Sequence, residues 1–229
     1  MVSPLDDSIA TIVAEMQVYY ARRAECYDTS MGYDDPNVVN KLAPVADALR
    51  EEMRGRDVLE IACGPGFWTE RVAGAARRIV ASDYNESTLA IARAKSIDPA
   101  RVAFVRVDAY DLSPIDGTYD GAFAVDFLAH VPASRLRVFL DGLHRRLLPG
   151  ARVAFCDQTP WPASISDMHD SEGNHLQERA LPDGSRYRVI KHFFSDDEFR
   201  DAFAPYCRRL DIRRFIDQRR VIVSYSLDA

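Results

Sequence analysis

The sequence predicts an α/β protein, with a mostly parallel sheet, helices on both faces and a closing antiparallel strand pair. Three observations carry that expectation. Between residues 57 and 156, short apolar runs alternate with stretches of helical period, as in parallel strands joined by crossover helices. The first of those runs empties into a glycine turn, Glu60-x-Ala62-Cys63-Gly64-Pro65-Gly66, that opens a helix. After residue 175 the alternation stops, and apolar runs come in pairs separated by tight turns.

In chain order, residues 5–27 read as an amphipathic helix, with Leu5, Ile9, Ile12, Val13, Met16 and Tyr20 at helical spacing. Asp35-Pro36 marks the next helix start, because proline at the first helical position gives up an N–H that would be unbonded anyway. Val39, Leu42, Val45, Ala46 and Leu49 form its apolar stripe. Strands are expected at 57–62, 77–83, 101–107, 119–125 and 151–156, with helices near 67–75, 86–96 and 132–147. Leu136, Phe139, Leu140, Leu143 and Leu147 share one face of the last of these, which Pro149-Gly150 should stop. Pro182-Asp183-Gly184 joins strands 176–181 and 185–192 into a hairpin. Ser195 and Glu198 form a capping box for a helix to residue 204. Strands 208–216 and 219–227 close the chain around Asp217-Gln218.

No linker or repeat interrupts this order, so a single domain is expected over residues 1–229. Residues 1–53 would form its helical cap, and 160–194 an inserted lid and hairpin. The polar stretch 161–178, with Trp161 and Asp167-Met168-His169-Asp170, reads as a mobile lid or a partner surface.

An apolar content of 47% over 229 residues supports a sizeable core. The net charge of −6 argues against nucleic acid or an anionic membrane as partner, since both require a basic field. No run approaches the roughly 18 apolar residues of a membrane span, and Asp6-Asp7 stands where a secretory leader carries positive charge. A cytoplasmic location is expected. Cys26, Cys63, Cys156 and Cys207 are too scattered for a zinc ribbon, a redox dithiol or a disulfide framework.

The glycine turn is a generic nucleotide device, and its neighbours narrow the choice. A triphosphate loop needs Lys then Ser/Thr after the last glycine, where this chain has Phe67-Trp68. A dinucleotide fingerprint wants Gly or Ala at position 69, where Thr69 stands. Asp83 ends the second strand 19 residues after Gly64, placed to accept from both ribose hydroxyls of an adenosine. Asp108-Ala109 ends the third, where an acid can accept an adenine amino group. With Glu60 and Asp126, the first four strand ends all carry acids.

Together these residues resemble the class I S-adenosylmethionine (SAM)-dependent methyltransferases. Glu60 to Gly66 is similar to the family's first motif, Asp83 to its ribose-binding acid, and Asp108-Ala109 to its adenine-binding pair. Leu147-Leu148-Pro149-Gly150 is similar to the signature before the fifth strand, and the resemblance spans about residues 15–227. It implies a Rossmann-like seven-stranded mixed sheet and SAM as cofactor. The cofactor contacts it implies are Tyr19, Arg23, Glu60, Ala62, Gly64, Gly66, Trp68, Asp83, Tyr84, Asp108, Ala109 and Asp126. Trp68 and Tyr27 fit equally well as core aromatics.

Methyl transfer is an in-line displacement at a sulfonium methyl, so the protein's task is to align the acceptor and exclude water. A phenol or alcohol also needs a base or a metal, whereas a carboxylate or phosphonate is already ionised. The Tyr19-Tyr20…Arg23-Ala24…Tyr27-Asp28 start, the Leu128-Ala129-His130-Val131-Pro132 segment and the Arg179…Lys191 hairpin resemble small-acid O-methyltransferases. That resemblance implies an acid site of Tyr33, His130, Arg179 and Lys191 and a methyl ester product. His130 is either catalytic or a helix cap, and Arg186 and Arg188 are solvated strand residues or further anion ligands. No metal is expected. A catechol-type metal enzyme stays open through Asp126 and Asp157-Gln158, although Gln158 stands where that pattern wants Asn. A non-catalytic SAM-binding module also stays open, while Thr69 disfavours a nicotinamide oxidoreductase. A monomer and a homodimer are equally compatible with the sequence.

Overall fold

The computed structural model describes residues 7–164 and 166–228. Leu5 of the expected first helix lies outside them. Helix α1 runs Asp7–Arg23, a 3-10 turn follows at Ala24–Cys26, and α2 is Tyr27–Met31. The single expected helix is therefore broken, and Gly32 ends α2 in the left-handed conformation at φ 72°. The break lets Asp28 reach Lys95, 2.5 Å away, a contact that periodicity does not encode.

Helix α3, Pro36–Met53, starts as expected, with the Asp35 carboxylate accepting from the Asn37 N–H at 2.8 Å. Then come β1 (Asp57–Ile61), α4 (Phe67–Ala73), β2 (Arg78–Asp83), α5 (Glu86–Ala94), β3 (Val102–Arg106), β4 (Tyr119–Val125), α6 (Ala133–His144) and β5 (Leu147–Gln158). The hairpin is β6 (Leu176–Ala180) and β7 (Arg186–Ile190); α7 (Asp196–Phe203), β8 (Leu210–Phe215) and β9 (Arg220–Ser226) complete the order. The capping box forms, with Ser195 Oγ accepting from the Glu198 N–H and the Glu198 carboxylate from the Ser195 N–H.

Seven strands make one sheet in the order β3-β2-β1-β4-β5-β9-β8, parallel from β3 to β5, with β9 antiparallel to β5 and to β8. One core layer packs α3 and α4 on the sheet through Leu42, Val45, Leu49, Val72 and Phe123. The other packs α6 and α7 through Phe139, Leu143, Phe155, Phe199 and Phe203. Among the described residues no helix is long and apolar enough to cross a membrane.

One boundary differs from expectation. Pro149-Gly150 does not stop α6, which ends at His144; it lies inside β5 instead. Leu147 already pairs with Tyr119, and the register shifts before Arg152 pairs with Gly121. Proline, without an N–H, and Gly150 at φ 78° are tolerated at such an irregularity.

Candidate active site

The strand order reverses at β1 and β4, which neighbour each other although β2 follows β1 in sequence. Crevices at such a switch point, beyond the carboxyl ends of the strands, are where open α/β sheets bind ligands. Both strand ends turn through residues that dislike the conformation, Ala62 at φ 53° and Asp126 at φ 55°. A left-handed residue with a side chain costs roughly 1–2 kcal/mol, a strain characteristic of functional sites.

A cleft opens there. Ala62, Gly64, Asp83, Tyr84, Asp108, Ala109 and Asp126, all expected cofactor residues, line it. Gly64, at φ 54°, donates its N–H to Asp83 Oδ2 at 2.9 Å. A Cβ built on Gly64 would meet nothing within 4 Å, so the backbone is open to a ligand on that side. Gly66 acts differently, since at φ 81° a Cβ would press to 3.1 Å from Ala92 Cβ; it permits α4 and α5 to approach. The other Asp83 oxygen accepts from the Asn85 N–H at 2.8 Å and the Thr88 hydroxyl at 3.0 Å. Burial raises the Asp83 pKa, and the hydrogen bonds from Asn85, Gly64 and Thr88 pull it back.

Besides Gly66, four expected cofactor residues lie outside the cleft lining. Tyr19 is buried under the hairpin with Leu181 and Val189, because that face of α1 is the apolar one that docks on β7. Glu60 and Trp68 flank a small cavity beneath the glycine turn, beside Cys63 and Phe67. Burial pushes Glu60 up to about 8, and Glu60 Oε2 and Trp68 Nε1 find no partner. Arg23 borders a second cavity, where it donates to Ser30 Oγ at 2.7 Å and lies over the Tyr27 ring. Conversely, α1 contributes Val13, Met16, Gln17 and Tyr20 to the cleft, none of them among the expected cofactor contacts, although the Tyr19-Tyr20 stretch is expected to close over the cofactor.

The second cavity shares Tyr20, Tyr27, Asp126 and His130 with the cleft, so the two meet at one wall. All four expected acid-binding residues, Tyr33, His130, Arg179 and Lys191, line it. Register explains the convergence. Arg179 lies opposite Tyr187 and Gln177 opposite Val189, so residues 177, 179, 187, 189 and 191 share a face. Arg186 and Arg188 fall on the other face, paired with Glu178 and Glu15. Lys191 is held by backbone bonds on both sides, its own N–H to His175 O and the His192 N–H to Ala129 O. Its side chain is 2% exposed, and burial lowers its pKa.

His130 occupies a constrained position. Nδ1 lies 2.5 Å from Ile190 O and Nε2 lies 3.0 Å from the Tyr20 hydroxyl. A carbonyl can only accept, so the proton sits on Nδ1, and bare Nε2 accepts from Tyr20. Burial, reinforced by Lys191, lowers the imidazole pKa to about 3. His130 therefore orients Tyr20 and is a weak base.

Arg220, missed by the sequence reading, is 4% exposed and pairs with Asp126 at 2.5 Å. Beside it, burial raises Asp157 to about 7, and Ala129 donates an N–H to one of its oxygens at 3.4 Å. The available signal was an arginine heading the otherwise apolar run Val221-Ile222-Val223. Its acid stands 94 residues away, beyond the reach of local pattern. Cys63 is no nucleophile, because burial pushes its thiol well above the usual range.

A family model described as "Methyltransferase domain" matches residues 58–150. The O-methyltransferase resE of Aspergillus sclerotiorum is 26% identical over 205 residues, 79% of this chain and 75% of that protein. The structure of a DhpI–SAH complex superposes with a TM-score of 0.77 at 28% identity, covering 95% of this chain and 97% of that one. For a DhpI–SAM–HEP complex the TM-score is 0.78 at 27% identity, with coverage of 96% and 99%. Together these similarities support a class I SAM-dependent methyltransferase: the chain is an enzyme, and SAM is its cofactor.

The cleft fits that cofactor, with an open glycine backbone at Gly64 and acids at Asp83 and Asp108 along one wall. Asp83→Ala is expected to weaken SAM at least tenfold, about 1.4 kcal/mol. The loss should exceed that of an ordinary contact, because the same carboxylate also braces Gly64, Asn85 and Thr88. Calorimetry on a variant with native circular dichroism checks this, and unchanged affinity would remove Asp83 from the ribose role.

Proposed function

We propose that the chain transfers the SAM methyl group to an oxygen of a small acid, a carboxylate or phosphonate, giving a methyl ester and S-adenosylhomocysteine. The charge of the second cavity carries this reading. Arg23, Lys41, Arg179, Lys191, Arg219 and Arg220 line it against Asp126 and Asp217, a net of four positive charges in a chain of net −6. Such a concentration, walled by protein, focuses field on an anion. The likeness to resE, an O-methyltransferase, and to the DhpI–SAM–HEP complex supports oxygen as the acceptor atom and a small molecule as its bearer.

When bound, SAM supplies a methyl group on an electrophilic sulfonium. Asp83 and Asp108 would hold its ribose and adenine in the cleft. Arg179 and Lys191 would grip the acceptor's anionic oxygens across the shared wall, each contact contributing about 1.5–3 kcal/mol. Cations lower the nucleophilicity of oxygens they touch, so their benefit lies in binding and alignment. Tyr20, fixed by His130, keeps a hydroxyl at the boundary between the two cavities. The weak basicity of His130 suits an acceptor that arrives ionised.

The pH profile tests this. As pH rises, kcat/KM should increase through the acceptor's own pKa and then stay flat. Beyond that plateau a fall is expected on the alkaline side, earlier than for an ordinary lysine near 10.4, because the lowered Lys191 pKa removes its charge sooner. A plateau that instead begins near pH 7–8 for a strong acid would require a protein base.

A metal-dependent reading retains one observation in its favour, the unpartnered oxygens Asp126 Oδ2 and Asp157 Oδ2. Against it, Arg220 already neutralises Asp126, and among the described residues no three His, Cys, Asp or Glu side chains cluster to hold a metal. Activity should survive EDTA. Loss restored by magnesium would favour the metal reading.

A further inference from the structure

The second cavity is larger and more cationic than one acid group requires. It encloses about 580 Å³, several times the size of a carboxylate or phosphonate headgroup. Arg179 and Lys191 line it near His130, one of the residues it shares with the cofactor cleft. Lys41 of α3 and Arg219 of the β8–β9 turn line the cavity from elements remote from the hairpin, together with Trp161. Among the described residues neither Lys41 nor Arg219 has an ion pair or a side-chain hydrogen bond; Arg219 only faces the Trp161 ring at 5.9 Å. Elsewhere the surface arginines of neighbouring elements are neutralised, Arg22 by Asp183, Arg188 by Glu15 and Arg214 by Asp196. One lining acid, Asp217, stands in the same turn as Arg219 and forms no ion pair with it or with Lys41.

Backbone geometry points the same way. Arg219 sits at φ 52°, in a conformation that glycine adopts without strain and arginine does not. Its N–H and C=O are both used, to Ile216 O and from the Thr159 N–H, so the turn fixes where the residue stands. The left-handed residue closes the β8–β9 hairpin and anchors the cation at the cavity wall.

We infer that the acceptor carries two acid groups, one gripped by Arg179 and Lys191 and a second held by Lys41 and Arg219. The inference rests on the small-acid reading above. In the transfer, an oxygen of the first acid forms the new O–CH3 bond as the S–CH3 bond breaks, the sulfonium becomes a thioether, and no proton moves. Only one charge of the acceptor disappears. The second group stays ionised, so the product keeps an anchor in the cavity after it has become an ester.

Calorimetry on the full chain saturated with S-adenosylhomocysteine tests this with matched probes: glutarate against valerate, and 3-phosphonopropionate against propylphosphonate. Each diacid should bind roughly tenfold or more tightly than its partner, the size of one charge-assisted contact. In the Lys41→Ala/Arg219→Ala double variant that ratio should collapse to about threefold or less, with the loss confined to the diacids. Equal affinities within each wild-type pair, or equal loss for both members in the variant, would overturn the inference. Methyl transfer from labelled SAM is scored separately. Diacid preference in binding with no ester formed from any probe refutes the small-acid reading and leaves the two-anion site standing. Binding of none of the four probes overturns both.

Discussion

Arg220→Met is expected to lower folding stability by about 3–5 kcal/mol, because it leaves Asp126 as an uncompensated buried charge. The two side chains are only 5% and 7% exposed, so the pair is largely desolvated. Burial is the largest single influence on Arg220 and opposes its charge, but Asp126, Tyr33 and Cys156 together outweigh it and the guanidinium pKa rises on balance. For a chain of this size the melting temperature should fall by roughly 6–20 °C. Adding Asp126→Asn to Arg220→Met should recover much of the loss. It removes the orphaned charge, and asparagine tolerates the left-handed backbone that Asp126 adopts. Urea unfolding of the three variants gives the answer, and a single variant within about 1 kcal/mol of the parent would mean that water enters the wall. The pair also separates two roles of one residue. A double variant that is stable but poorly active would assign Asp126 and Arg220 to the site rather than to the fold alone.

The second large effect is kinetic. Arg179→Ala should raise KM for the acid acceptor roughly 30-fold or more, since truncating one partner of a desolvated ion pair costs about 2–5 kcal/mol. The variant should fold normally, because among the described residues the only side-chain partner of Arg179 is Gln177 Oε1, 2.5 Å away, and no acid is stranded. KM for SAM should hardly move, as Arg179 lines the second cavity and not the cleft. Steady-state kinetics with each substrate varied in turn distinguishes the outcomes. If both constants shift together, or neither does, the hairpin serves the fold and the acidic acceptor loses its main support.

Much of this architecture was legible because it is local. The five parallel strands and the capping box at Ser195 follow from period, turn residues and side-chain hydrogen bonds within a few residues of one another. The hairpin was legible for the same reason, and the two-residue period carried Arg179 and Lys191 to one face without further information. What stayed hidden depends on distant partners. The break after Arg23 is set by where Tyr27 and Asp28 must dock, with Lys95 on another helix. The end of α6 is set by strand pairing between Leu147 and Tyr119, which overrides the stop signal expected from Pro149-Gly150. Arg220 and Asp126 meet only once β9 has been laid antiparallel to β5, one strand removed from β4. His130 was found by motif, but its neutral tautomer follows from Ile190 O, a carbonyl contributed by the hairpin.

Helix α1 has a consequence for cooperativity. Ile12 and Met16 pack on Leu176 and Ile190 of the hairpin, while Val13, Met16, Gln17 and Tyr20 wall the cofactor cleft. One helix is thus shared between the support of the acceptor's cations and the enclosure of the methyl donor. A ligand that steadies α1 from the cleft steadies the hairpin as well, and lowers the ordering cost borne by the next ligand. Linkage makes the effect mutual: whatever factor SAM contributes to acceptor affinity, the acceptor returns to SAM. Substitutions along the α1–β7 seam would then change two dissociation constants together, although some of those side chains touch neither ligand.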